Sequence, residues 1–255
     1  MHLPILLLSG KAGSGKDTVA SMIADLYPNT TTLAFADPMK RIAKVLYGFT
    51  DYQLWGPSEA RNAVDTVHGP IFDIDKDYVP LFDIFSQLQL RALESAMEGL
   101  LRWYGRLNAD FAANKKVFSP RVVLQQMGTE WGRAIDKNIW VHAAENVSAK
   151  LLEGGYVYSR EGGLVKKEGA SANLVLITDG RFRNEILEAN KTGAVTIRVV
   201  REDRRNVGNH ASELEQDQIP NYWFDYLLEN FAGLDALRSS VKRTMDSITS
   251  ESVVE

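Results

Sequence analysis

The sequence predicts an α/β fold: a mostly parallel sheet flanked by helices, with a mainly helical insertion. Three observations carry this. Short, continuous apolar runs alternate with segments of helical periodicity, the pattern of strands joined by crossover helices. The first apolar run breaks into a glycine-rich turn, "SGKAGSGKDT", and resumes as a helix. Between about residues 50 and 118 the alternation stops, and long helical spacing replaces it.

Each element has a local reason. "LPILLL" is apolar on both faces, as a strand covered on both sides requires, and "DTVASMIADLY" repeats apolar residues at Val19, Ile23 and Leu26. "TTLAFA" reads as a second strand. "DPMKRIAKVLYG" reads as a helix with Pro38 at its first position and a stop at Gly48. In the insertion, "HGPIFDIDKDYVP" is turn-like and the stretch from Leu81 to Gly105 is one long helical segment. Ser119 and Pro120 open the next helix as cap and first residue, and "IWVHAAENVSAKLLEGG" forms another. Residues 154–173, rich in glycine and charge, are expected to be a mobile excursion or a hairpin, and a candidate lid. "LVLITD", "AVTIRVVR" and "FDYLLEN" are further strands, "RNEILEANKTG" a helix, and "LDALRSSVKRTMDSI" a closing helix before a frayed end. The expectation is a single domain over 1–255, with its core in 1–49 and 119–240.

Composition narrows the function classes. The 255 residues carry 29 Lys and Arg against 33 Asp and Glu, a formal charge of -4, with no long basic run. No nucleic-acid polymer or anionic membrane surface is expected as partner. The absence of cysteine excludes thiolate metal sites, disulfides and a cysteine nucleophile. It also fits a reducing compartment, so a cytoplasmic location is expected; the apolar run from Leu3 to Leu8 is too short to span a bilayer and reads as a buried first strand.

The chemistry begins at Gly10. "GKAGSGK" satisfies the G-x-x-x-x-G-K spacing and lies between a predicted strand and a predicted helix, as a phosphate-binding loop requires. Gly10, Gly13 and Gly15 allow positive φ, so that successive N–H groups around Ser14 can point at phosphate oxygens; Lys16 adds a point charge. The following helix adds its positive dipole end. Asp17 stands where such loops usually carry a magnesium-binding hydroxyl, and Thr18 follows. A carboxylate there can hold a metal-bound water, or simply oppose the helix dipole.

A second group follows the strand "LVLITD". Asp179 falls at its carboxyl end, where ligands bind in open α/β sheets, and is placed to orient magnesium or its water; a helix-capping role is the alternative. Arg181 begins the next turn and is expected to face phosphate, while Arg183 is expected to be solvated. A third group is "SPRVVLQQMGTEWGR", where helical spacing sets Arg121, Gln125, Gly128 and Thr129 along one side, with Arg133 beyond. Trp140 is a candidate stacking surface, with core packing as the alternative for it and for Trp131. Lys40 after the second strand is a candidate for a monophosphate, and Arg61 in the insertion is a weaker one. The four histidines have no metal spacing, and His210 reads as a loop or cap residue.

Taken together, "LSGKAGSGKDTVA", "FADPMKRIAKVLYG", "SPRVVLQQMGTEWGR" with "IWV", "ITDGRFRNE", "AVTIRVVR" and "NHASE" occur in an order that resembles the bacteriophage deoxynucleoside monophosphate kinases. The resemblance covers nearly the whole chain, with residues 50–118 and 154–173 matching poorly. It implies a P-loop kinase-type fold that moves the γ-phosphoryl of ATP to a deoxynucleoside monophosphate (dNMP) with Mg2+, in a homodimer within the host cytoplasm. Carried over, Gly13, Gly15, Lys16, Asp17 and Thr18 would serve the donor, and Lys40, Arg121, Gln125, Gly128, Thr129, Trp140 and Asp179 the acceptor; Asp17 falls in a slot that holds aspartate in the family too. On this reading Asp17 and Asp179 organise the metal's waters, while Arg121, Arg133 and Arg181 offset charge as the two anions meet. A kinase for another small molecule, or a nucleotide-binding assembly or regulatory protein, remains open at the level of sequence.

Overall fold

Leu6, Leu7 and Leu8 are all fully buried, which an isolated strand cannot achieve unless both of its faces and both of its edges are covered. The computed structural model, which describes residues 5–86, 88, 93–201 and 211–251, shows how this is met. In chain order the elements are β1 (Ile5–Ser9), α1 (Lys16–Leu26), β2 (Thr30–Leu33), α2 (Asp37–Tyr47), α3 (Asp51–Trp55), α4 (Ser58–Asn62), α5 (Ile74–Ser86), α6 (Leu93–Ala112) and α7 (Pro120–Gln126). A π-helical turn (Met127–Gly132) leads into α8 (Arg133–Ile135) and α9 (Ile139–Glu153). Then come β3 (Tyr156–Ser159), β4 (Gly163–Lys166), β5 (Leu174–Gly180), α10 (Arg183–Lys191), β6 (Val195–Val200), α11 (Ala211–Gln218), β7 (Tyr226–Glu229) and α12 (Leu234–Glu251).

The chain divides into two compact units. The first comprises residues 1–35, 147–159 and 164–255; the second comprises 36–146 and 160–163. Thus α2, α7 and the first half of α9 group with the helices of residues 50–118.

In the first unit five strands form one sheet in the order β2-β5-β1-β6-β7, and every pairing is parallel. β1 is central, with Leu7 opposite Ile177 on one side and Thr196 on the other. On one face Leu6, Leu8, Leu176, Ile197 and Val199 pack with Val19, Met22 and Ile23 of α1 and Leu237, Val241 and Met245 of α12. Each such leucine contributes roughly 1.5–3 kcal/mol relative to exposure. A separate two-stranded hairpin, β3-β4, occupies the 154–173 excursion, and its base is closed by Gly155 N to Ala170 O at 2.7 Å and Lys167 N to Gly155 O at 2.9 Å.

The second unit is helical and held by aromatic rings. Tyr47 lies 5.5 Å from Phe49 and from Phe118, and Phe111 meets Phe118 edge-on at 5.0 Å. The Tyr47 hydroxyl donates to Asn108 at 3.0 Å, and burial raises its pKa well above the usual phenol range. α2 has Pro38 in its first turn and stops at Gly48 with φ 73°, as its sequence signals require.

Three elements differ from the sequence expectation. β2 ends at Leu33 rather than Ala36, because the Phe35 amide is taken by the Asp179 carboxylate instead of a strand neighbour. The "HGPIFDIDKDYVP" stretch is not all turn: α5 begins at Ile74 and carries Pro80 inside, and a second helix, α6, starts only at Leu93. Burial of Leu81, Ile84 and Phe85 outweighs the backbone bond that Pro80 forgoes. α11 has too few apolar residues to show helical periodicity and is stabilised instead by polar contacts. The expectations for Leu3 and Pro4, His210, and the frayed residues after 251 lie outside the described residues.

One loop of the second unit rests on a single carboxylate. The Asp65 side chain is 2% exposed and accepts from the amides of Val67 (2.8 Å) and His68 (2.9 Å) and from Gln53 Nε2 (2.6 Å), with His68 Nδ1 at 2.8 Å. Burial works to raise its pKa, but these hydrogen bonds together outweigh burial and hold it below the ordinary carboxylate value. A folded-state pKa below the unfolded one gives stability that is present above the unfolded value and disappears as pH falls through the folded value. Asp65→Asn is therefore expected to cost about 1–3 kcal/mol at neutral pH. The gap to wild type should close below about pH 4; urea denaturation across pH checks this, and a gap independent of pH would refute it.

Candidate active site

β1 stops in the middle of the sheet edge, with Ser9 paired to Gly180 of β5 and Arg198 of β6. The chain leaves it through Gly10, Gly13 and Gly15 at φ 144°, 74° and 100°, values that side chains adopt only with strain. Space demands glycine as well as conformation: a Cβ on Gly10 would collide with the Val199 carbonyl, and one on Gly15 with the Asn230 amide. Asn230, just after β7, donates to the Ser14 carbonyl at 3.0 Å and so braces the loop from the far edge of the sheet.

The loop is shaped for an anion. Gly15 occupies the N-cap of α1 in a left-handed conformation and supplies no side-chain cap for the first turn. The Lys16 ammonium is buried beneath the loop, donating to the carbonyls of Gly10 (2.6 Å) and Lys11 (2.8 Å). The Ser14 hydroxyl is buried without a hydrogen-bond partner among the described residues. An uncapped helix start, a buried ammonium and an orphaned hydroxyl fit a polyphosphate. Asp17 lies exposed in the first turn, and Thr18 is half-buried beside it.

Asp179 stands next to the last residue of β5, and its Oδ1 accepts from the Phe35 amide at 2.7 Å. Arg181 follows in the turn to α10. Its amide donates to Glu185 Oε2 at 2.7 Å, as does the Phe182 amide at 2.9 Å, and Glu185 is buried. Glu185 thus closes the start of α10 from its third position, a helix-start signal visible in the sequence. Arg183 is not merely solvated: its amide donates to Glu215 at 2.8 Å and its guanidinium to the Gln218 carbonyl at 3.0 Å, both on α11.

The remaining candidates belong to the second unit. Lys40 lies 5.6 Å from the centre of the Trp55 ring, and the Trp55 indole donates to the fully buried Asp37 at 2.9 Å. Arg160, from the turn between β3 and β4, approaches the same carboxylate at 3.6 Å. Arg61 donates to the Gly56 carbonyl at 2.5 Å, just past the end of α3, and Arg121 Nε to Asn62 Oδ1 at 2.9 Å. Residues 61 and 62 of α4 therefore set one guanidinium directly and a second one by contact.

Of the residues expected on a common helical face, Arg121 and Gln125 lie one turn apart on α7, and Gly128 and Thr129 lie in the π-helical turn beyond it. α7 ends at Gln126, and the wider π-helical turn that follows changes the angle per residue. Within that turn Thr129 donates to the Gln125 carbonyl at 2.8 Å, and Gly128 faces Met39 of α2. Arg133 is half-buried at the turn's end. Trp140 is 6% exposed, with its ring 6.0 Å from Trp131 and packed over Gly132. The ring's neighbours are those of a core residue.

The three loop glycines carry unequal demands, which gives a test. Gly13→Ala meets open space and should cost about 1–2 kcal/mol from backbone strain alone. Gly10→Ala adds a collision with backbone and should cost about 1–3 kcal/mol more. Urea midpoints of the two variants measure the difference; equal losses would contradict the packing described.

No protein-family model matches the chain. Over 240 residues it is 25% identical to a protein of Acanthamoeba polyphaga mimivirus with the provisional name deoxynucleotide monophosphate kinase, covering 94% of this chain and 95% of that one. Over 198 residues it is 28% identical to the deoxynucleoside-5'-monophosphate kinase of Escherichia phage T5, covering 70% of this chain and 68% of that one. With a glycine-rich loop at the end of a central parallel strand and a carboxylate at the end of its neighbour, the chain is thus similar over most of its length to two viral proteins named as deoxynucleoside monophosphate kinases.

Proposed function

We propose that this chain transfers the γ-phosphoryl group of ATP to a deoxynucleoside monophosphate, giving ADP and a deoxynucleoside diphosphate. The observation that carries the reading is the loop from Gly10 to Lys16: a buried ammonium, an orphaned hydroxyl and an uncapped helix start at one point of the sheet edge. The similarity to two viral proteins named as such kinases supports the choice of reaction.

A kinase of this kind implies ATP as donor and a nucleotide as the small-molecule acceptor. In the reading, the loop amides and Lys16 hold the donor's β- and γ-phosphates. Asp17, exposed on the first turn of α1, and Asp179, at the end of β5, are oxygen donors suited to a hydrated Mg2+. When bound, the ion would supply charge neutralisation at the β- and γ-oxygens. Among the described residues no group of three or more His, Asp or Glu side chains gathers to cage a metal. Arg181 and Arg133 offset charge on the group in transfer. Lys40, Arg61 and Arg121 take the acceptor phosphate, with Gln125, Gly128 and Thr129 beside its base and Trp140 behind them as support. No covalent intermediate is required, because positioning and electrostatics carry most phosphoryl transfer.

The reading extends to a single kinase domain with residues 50–118 as its helical insertion and the hairpin of residues 154–173 as its lid. It extends also to a homodimer acting in the host cytoplasm on a free nucleotide rather than a nucleic-acid polymer. No helix among the described residues is long and apolar enough to cross a membrane.

Coupled ADP release with ATP, Mg2+ and each of the four common dNMPs tests the proposal. Acceptor-dependent turnover is expected with at least one of them. Lys16→Ala should lower it by at least about 10²–10³-fold while the protein stays folded. Turnover of an unrelated acceptor alone, or nucleotide binding with no acceptor-dependent ADP, would overturn the reading.

A further inference from the structure

Arg181 is held by more than the start of its helix. Its amide is bound by Glu185, and its carbonyl accepts a hydrogen bond of 2.7 Å from Nε2 of Gln216, on α11. Both main-chain polar groups of one turn residue are therefore bound by buried side chains from two different helices. The same Gln216 Nε2 donates to Ser9 Oγ at 3.2 Å. Ser9 is the fully buried last residue of β1, immediately before Gly10. One amide thus bridges the strand that ends in the phosphate loop and the turn that carries Arg181.

Gln216 is itself fully buried, and its own main chain is fixed. The Arg198 guanidinium donates to the carbonyls of Gln216 and Ile219, at 2.6 Å each, and to Asn221 Oδ1 at 2.7 Å. The Phe224 ring backs it at 5.2 Å. Arg198 lies on β6 directly opposite Ser9. Residue 216 thus links three neighbouring strands: its side chain joins β1 to the turn after β5, and its main-chain carbonyl accepts from Arg198 of β6.

Packing alone does not call for this arrangement. A buried amide costs free energy unless its hydrogen bonds are made, and an apolar residue of similar volume would fill the space as well. What the amide adds is a fixed distance between Arg181 and the loop. In phosphoryl transfer that distance matters, since a misplacement of about 1 Å in a charge-stabilising group can cost about 10²-fold in rate.

We propose that Gln216 is a positioning residue for phosphoryl transfer, acting through Arg181 by tying its turn to the strand that bears the phosphate loop. The inference rests on the function proposed above. Gln216→Met, which keeps the volume and removes the side-chain hydrogen bonds to both Ser9 and Arg181, is expected to lower kcat by about 10–100-fold with the KM for ATP within about threefold of wild type. Gln216→Asn, too short to bridge both partners, should behave likewise.

The decisive measurement is a double-mutant cycle on kcat with Arg181→Ala. If Gln216 works through that guanidinium, Gln216→Met should cost less than about twofold once Arg181 is already alanine. Additive losses, an unchanged kcat in the single variants, or failure of both Gln216 variants to fold would each overturn the assignment and leave Gln216 a structural residue. A wild type with no acceptor-dependent ADP release would remove the function and this inference together. An active wild type with additive losses would remove the inference alone.

Discussion

The burial of β1 on both faces and both edges is the constraint on which the first unit depends. A strand with Leu6, Leu7 and Leu8 all removed from solvent can only run through the centre of a covered sheet, so its end must emerge at the sheet's carboxyl edge. The glycine turn then has one place to be. Its amides lie where neighbouring strands also end, and Asp179 and Arg181 reach the same edge because β5 is the adjacent strand. Chemistry that needs anion binding next to a carboxylate follows from the order of the strands.

The cost of this arrangement is a set of polar groups at the edge of an apolar core. The structure meets it by pairing them: the Lys16 ammonium with loop carbonyls, the Asp179 carboxylate with the Phe35 amide, Glu185 with two turn amides, and the Gln216 amide with Ser9 and Arg181. Such a bond is worth about 1 kcal/mol net between neutral groups and about 1.5–3 kcal/mol to a charged one, and leaving a charged group unpaired would cost more still. The Ser14 hydroxyl departs from the pattern: it is buried with no hydrogen-bond partner among the described residues.

The second unit solves a different problem by different means. Its helices are fastened by rings around Tyr47 and by Trp131, whose indole donates to the Ala96 carbonyl at 3.1 Å. Its cations are oriented by short polar segments. Arg61 is drawn to the carbonyls that end α3, and Arg121 to Asn62. A guanidinium held at the carbonyl end of a helix is favoured by the local dipole.

Features that depend on neighbours along the chain were legible in the sequence. The phosphate loop was, because glycine spacing and a following lysine determine its backbone wherever strand meets helix; so were the Pro38 start and Gly48 stop of α2, the apolar strands and the closing helix. Tertiary structure alone decided what depends on residues far apart. Ser9 and Gln216 are separated by 207 positions, and no periodicity marks either as a partner of the other. The π-helical turn at Met127 is likewise unmarked by regular helical spacing; in it Trp131 is buried against Phe85 and Trp140. Local propensity acts over a few residues, whereas burial and polar pairing act on whatever the fold brings together. The sequence by itself therefore determined the glycine loop and its place between strand and helix, and the packing decided which distant side chains meet around it.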